Sequence, residues 1–177
     1  MKVTLPEKGF SLIELVVYIG LFSLVILFLF QFIFNLLSVN TQSKAFEALI
    51  NNSLQTLNAI DAEIRNASAL YEPTSTFGSA DSQLSLVVPN DSDSGPSELY
   101  SDIYISEDDR VCIKRDTSGV SCVSSEEIEV VSLTFNKIAP EGGKHGAQAI
   151  LVMQNKTNNS EDRVLFTLQS SAQVRAY

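Results

Sequence analysis

The chain has 177 residues, 45% of them apolar, a formal net charge of −9 at pH 7 and a pI near 4.5. That length accommodates one domain around one core. The acidity, with no cluster of Lys and Arg anywhere in the chain, excludes nucleic-acid binding through bulk charge, because phosphate contacts are made by clustered cations. Acidity by itself names no partner and is the ordinary property of a solvated surface.

The apolar residues are unevenly spread. From Phe10 to Leu37 the sequence reads FSLIELVVYIGLFSLVILFLFQFIFNLL, in which Glu14 is the only ionisable group apart from the Tyr18 phenol. About 20 apolar residues cross the hydrocarbon layer as a helix, so this run is long enough to span a membrane. It exceeds the apolar core of about 7 to 15 residues in an ordinary secretory signal, and no small-residue cleavage site follows it. Lys2 and Lys8 precede the run and most acidic residues follow it. The positive-inside rule therefore puts the N-terminus in the cytoplasm and the bulk of the chain outside. Glu14 is then an ionisable group near the start of an apolar helix, which either sits at headgroup level beside the positive helix end or marks a functional pairing.

The stretch Lys8-Gly9-Phe10-Ser11-Leu12-Ile13-Glu14-Leu15, at the head of that run, resembles the processing site of type IV prepilins and of the pseudopilins of type II secretion. The likeness combines a short basic leader, a Gly, an aromatic residue and a Glu directly before a membrane span, and it is confined to roughly the first 35 to 40 residues. It implies that a membrane-embedded prepilin peptidase cuts after Gly9 on the cytoplasmic side, that residues 1–9 are lost, and that Phe10 becomes an N-methylated N-terminus. A residue without a Cβ at Gly9 lets catalytic groups approach the backbone. Glu14 becomes the fifth residue of the mature chain and, by the same resemblance, pairs with the N-terminal amine of a neighbouring subunit. Such a pair offsets the cost of burial only when subunits dock in the right axial register. One departure stands out: many major pilins have a Pro where this chain has Gln31, so an unkinked helix and a minor pilin or minor pseudopilin are the expectation.

The helical pattern continues past the apolar run. Phe46, Ile50, Leu54, Leu57, Ile60 and Ile64 recur at spacings of three and four, which predicts an amphipathic helix with one apolar stripe that forms part of a core. No Gly or Pro occurs between Gly20 and Pro73, so one helix is predicted from Phe10 to about Ala69, roughly 90 Å at about 1.5 Å per residue. After Tyr71 turn residues and β-prone segments alternate. Strands are predicted at Gln83–Val88, Leu99–Ser106, Arg110–Arg115, Val120–Ser124, Ile128–Ile138, Ala147–Gln154 and Val164–Gln169, with loops at Glu72–Ser82 and Pro89–Pro96. A long helix followed only by strands gives an α+β fold, the pilin fold by resemblance, with the helix packed on an antiparallel sheet. The expected organisation is a leader over 1–9, a transmembrane and filament-core helix over 10–37, the amphipathic helix over 38–70, and an extracytoplasmic β-rich domain over 71–177.

Cys112 and Cys122 are the only cysteines. A turn centred on Thr117 brings them face to face, and an oxidising extracytoplasmic space favours a disulfide over two reduced thiols. Two cysteines and the single His145 cannot complete a four-ligand zinc site, so no metal and no cofactor is expected. Asn90-Asp91-Ser92-Asp93-Ser94-Gly95 lacks the later Glu of a helix-loop-helix calcium site, and Gly142-Gly143-Lys144-His145 lacks the remainder of a phosphate loop. Asn-x-Ser/Thr triplets begin at Asn51, Asn66, Asn90, Asn155 and Asn158, a number that a Ser- and Asn-rich chain produces by chance. No activated nucleophile accompanies His145, so the chain reads as a non-enzyme. Two functional classes follow. The first is a structural subunit of a type IV pilus or a type II secretion pseudopilus. It starts in the inner membrane and ends in an extracytoplasmic filament, with the peptidase, an inner-membrane assembly platform and other subunits as partners. The second is a single-pass membrane protein that keeps its leader and displays a binding domain.

Overall fold

The computed structural model describes residues 11–90, 96, 98–139, 145–156 and 163–175. The chain divides into two compact units, Met1–Ser43 and Lys44–Tyr177, and one helix, α1 (Leu12–Asn66), contributes to both. Among the described residues eight strands follow: β1 (Ala69–Leu70), β2 (Leu84–Pro89), β3 (Glu98–Ile105), β4 (Val111–Arg115), β5 (Gly119–Cys122), β6 (Ile128–Ile138), β7 (Gly146–Asn155) and β8 (Leu165–Gln173). The fold class is α+β, with a long apolar N-terminal helix and antiparallel strands.

In the first unit α1 is apolar around its whole circumference. Every large apolar side chain from Leu12 to Leu37 except Ile26 is exposed, from 49% at Ile33 to 80% at Leu12. A helix that is hydrophobic on all sides needs an apolar surrounding, because no single stripe can be turned away from water.

In the second unit α1 buries one stripe, and its register differs from the one read off the apolar residues. The buried positions are Leu49, Ser53, Thr56, Leu57, Ile60, Ile64 and Ala67, whereas Phe46 and Leu54 are 42% and 43% exposed and Ile50 is half-buried. The expected stripe thus holds from Leu57 onward and slips before it. Ser53 and Thr56 occupy buried positions; the Ser53 hydroxyl donates back to the Leu49 carbonyl at 2.7 Å, so it needs no water, while the Thr56 hydroxyl is buried without a partner among the described residues. Phe46 instead meets the Phe166 ring edge-on at 6.2 Å. The helix stops at Asn66, short of the expected Ala69, because Ser68 donates to the Val87 carbonyl at 2.8 Å and Ala69 and Leu70 pair with β2. The 38–70 segment is therefore helix only to Asn66, and β structure begins before residue 71.

The strands form two sheets where one was expected. The first has the order β1-β2-β3-β4-β5 and the second β6-β7-β8, with every ladder antiparallel. The edge of β6 is occupied by the loop before β2, which prevents β5 and β6 from joining. Gly78 and Ser82 donate to the Phe135 and Leu133 carbonyls at 2.9 Å each, and Leu133 donates to the Ala80 carbonyl at 2.7 Å. Gly78 has φ +75, a left-handed conformation in which a Cβ is strained, and this lets the loop turn onto the strand. Side chains of α1, of the first sheet (Leu84, Leu86, Ile103, Ile113) and of the second (Leu133, Phe135, Leu151, Met153) share one core.

Two carboxylates on α1 fasten the helix to both sheets. Glu63 accepts from Arg115 Nε at 3.0 Å, is ion-paired to the same guanidinium, and accepts from Ser101 Oγ at 3.2 Å. The Arg115 guanidinium is held above its usual pKa, chiefly by this hydrogen bond, with burial opposing. Two residues earlier, Asp61 accepts from the Ser170 hydroxyl on β8.

Candidate functional site

The residues singled out at the head of the apolar run meet the structure at the first turn of α1. Gly9, Phe10 and the 1–9 segment lie outside the described residues. The Ser11 carbonyl accepts from the Glu14 and Leu15 amides at 3.0 and 3.2 Å, which starts the helix. Glu14 is exposed and is the acidic residue of the first turn. The first amides of a helix have no partner further along it, and their summed dipole favours a nearby anion. Beyond Glu14 the helix from Leu12 to Leu37 has the length and apolar composition to cross a membrane, and none of its most apolar window is buried within the chain. A single carboxylate at the rim of an apolar helix can receive a cation presented by another chain. Among the described residues, no cation lies within ion-pairing distance of it.

A comparison with protein families matches residues 5–30 to the prokaryotic N-terminal methylation motif. Over those residues the chain is similar to the type IV pilin-like family. The match is confined to those residues, and no curated protein and no solved structure matches the chain. For a pilin-like chain the motif implies cleavage by a prepilin peptidase and assembly with other subunits, and the exposed apolar helix implies membrane anchoring. The motif's family is structural in character.

The other singled-out residues lie in the second unit. Cys112 on β4 stands opposite Cys122 on β5, and a disulfide joins them. The intervening turn, Asp116-Thr117-Ser118, is closed by Gly119 at φ +77, again a conformation suited to glycine. His145 is exposed, and its backbone carbonyl accepts from the Val174 amide at 3.1 Å, which ties the start of β7 to the end of β8. Asp91–Gly95 of the calcium-like stretch, Gly142-Gly143-Lys144 and Asn158 lie outside the described residues. Among the described residues no group of His, Cys, Asp and Glu could hold a metal ion.

The Glu63–Arg115–Ser101 and Asp61–Ser170 contacts escaped the sequence reading. Their partners are 38, 52 and 109 positions apart in the chain, and only the folded sheets bring them together. The available signal was two acidic residues, Asp61 and Glu63, beside the apolar-stripe positions Ile60 and Ile64 of an amphipathic helix, but that pattern also describes a solvated face.

Proposed function

We propose that the chain is a minor structural subunit of a type IV pilus or a type II secretion pseudopilus. It is cut after Gly9, methylated at Phe10, and docked in the filament through Glu14. The observation that carries this reading is the methylation motif at residues 5–30 running directly into a helix with exposed apolar side chains on every face and Glu14 in its first turn. Lipid can surround such a helix in the precursor state, and other such helices can replace lipid after assembly. In a packed bundle Glu14 needs a cation, and the amine of a neighbour's first residue is one that the processing reaction itself creates.

The N-terminus lies in the cytoplasm and residues 71–177 lie outside. The charge asymmetry about the apolar run supports this orientation, as does the Cys112–Cys122 disulfide, a bond that persists in oxidising compartments. The minor-subunit assignment rests on Gln31, which continues the helix where many major pilins carry a Pro.

The deciding experiment is the N-terminal mass of the chain from cells with and without an active prepilin peptidase. The expected product begins at Phe10, with or without one methyl group, and appears only with active enzyme. Gly9→Leu places a bulky side chain beside the scissile bond and is expected to leave the precursor uncut. Retention of Met1–Gly9 in the unmodified chain would overturn the proposal in favour of a membrane-anchored binding domain.

A further inference from the structure

Folded proteins rarely leave a long sheet edge open, because its unpaired N–H and C=O groups are a template for any extended chain. Among the described residues, three of the four sheet edges in the second unit are short or covered. Strand β1 has two residues, β5 has four, and the edge of β6 is occupied by the loop of Gly78 and Ser82. The fourth edge, β8, is different. It runs for nine residues, LFTLQSSAQ, with no charge and no proline, and among the described residues its backbone pairs with β7 alone.

The core beneath that edge is incompletely covered. Leu151 and Met153 of β7 are fully buried, whereas the β8 residues paired with them, Leu168 and Phe166, are only half-buried. The neighbouring flank of α1 is open as well. Phe46, which meets the Phe166 ring, is exposed, and so is Leu54, which lies roughly two turns before Asp61 on the flank that holds the Ser170 hydroxyl. A strand added to β8 would pair with its free backbone groups and lay alternate side chains over Phe166, Leu168 and this flank.

Charge selects the occupant. Arg163 and Arg175, both exposed, stand two residues outside the two ends of β8, with no acidic residue between them. Arg65, one turn beyond Asp61, lines a cavity of about 320 Å³ with Ser171 and Gln173, and shares a second of about 390 Å³ with Gln173 and Arg175. Cations thus mark both ends of the edge, in a chain whose 21 acidic residues outnumber its 12 basic ones. A second copy that paired its own β8 here would set Arg163 and Arg175 against like charges at both ends, whether the strands ran parallel or antiparallel. A segment with acidic ends meets opposite charges instead.

We infer that the open edge of β8 is a docking site for an extended segment of a different protein, apolar at alternate positions and acidic at both ends, which adds to the second sheet as a fourth strand. The site lies in the second unit and makes no use of the processed N-terminus, so it goes beyond the filament reading. Main-chain pairing supplies the attachment, the half-buried apolar residues supply the preference for alternation, and the arginines set which segments are admitted.

The test is fluorescence anisotropy of a labelled synthetic peptide of alternating Val and Thr with an Asp at each end. It is titrated onto the full-length chain in detergent micelles, with empty micelles as the blank, and backbone hydrogen exchange is read on the same complex. Binding is expected to slow exchange along Leu165–Gln173 and to leave the β5 edge unchanged. A peptide with two adjacent prolines at its centre cannot pair there and is expected not to bind. Arg65→Glu with Arg163→Glu is expected to weaken the Asp-ended peptide about threefold to tenfold and to favour a Lys-ended one by a similar factor. That gain also shows that the variant folds. No added protection in β8, a charge preference that does not reverse, or binding that survives the prolines would each overturn the inference. Self-association of the chain through β8 would overturn it too, by making a second copy the occupant.

Discussion

The two stretches of α1 are the same kind of backbone put to opposite uses. From Leu12 to Leu37 the helix exposes apolar side chains on every side. From Leu49 to Ile64 it buries one stripe among two sheets. The second stretch finds its partners within the chain, whereas the large apolar side chains of the first, Ile26 apart, are exposed. The lesson is energetic. Burying a Leu or Phe side chain is worth about 1.5 to 3 kcal/mol, and along the first stretch that stabilisation is realised only with lipid or with other helices. Changes in the first unit should therefore be read out in assembly, and changes in the second in the stability of the folded domain.

The largest expected effect tests that division at Glu14. Replacing it with Ala removes the one carboxylate from the apolar stretch and leaves the core of the second unit untouched. The variant is expected to be cut normally and to melt at the wild-type temperature, yet its recovery in the sheared filament fraction should fall at least tenfold. A buried amine left without its counter-charge costs about 3 to 5 kcal/mol, enough for that drop. Efficient incorporation of the Ala chain would mean that Glu14 sits at headgroup level without a partner, and the contrast between the two stretches would lose its functional half.

A smaller effect is expected at the disulfide, this time in stability alone. Cys112 and Cys122 close a loop with a separation of 10 residues, and the chain-entropy estimate for so short a loop is about 2 to 3 kcal/mol. Replacing both with Ala should lower the unfolding free energy of the second unit, read from denaturant titration, by that amount and leave N-terminal processing unchanged. Loss of processing in this variant would show that the two regions are coupled after all.

These differences also explain how much could be read from the chain. The apolar helix, the methylation motif, the α+β class and strands such as β6, found over the predicted Ile128–Ile138, were legible because each is a local pattern of period or composition. The stripe was misplaced before Leu57 because Ser53 and Thr56 look polar in sequence yet are buried, Ser53 with its hydroxyl back-bonded to its own helix and Thr56 with its hydroxyl unpartnered among the described residues. The split into two sheets was not legible, since it depends on the loop of Gly78, Ala80 and Ser82 occupying the β6 edge some fifty positions away. The helix-to-sheet contacts of Asp61 and Glu63 were hidden for the same reason.

The smallest effect concerns Glu72 and Lys137, which form an ion pair between the loop after β1 and strand β6. The Lys137 ammonium, by hydrogen bond and then by charge, holds the Glu72 carboxyl below its usual 4.5, opposed by burial and helped least by the charge of His145. A carboxyl depressed in the folded state stabilises the fold at pH above its unfolded pKa, and that stabilisation is lost as pH falls through the folded value. The window therefore opens near pH 4.5 and extends to the acid side. Exposed pairs of this kind are weakened by salt, so the shift should shrink in 1 M NaCl. Carbon-detected titration of the Glu72 carboxyl, in the wild type and in Lys137→Met, is the direct measurement. Glu72 is expected to titrate in the ordinary carboxylate range once Lys137 is gone, with the acid-side difference in melting temperature vanishing as well. An unchanged titration would mean that the ion pair is not populated in solution, leaving the Gly78–Ser82 backbone contacts with β6 as the tie between the loop and the second sheet.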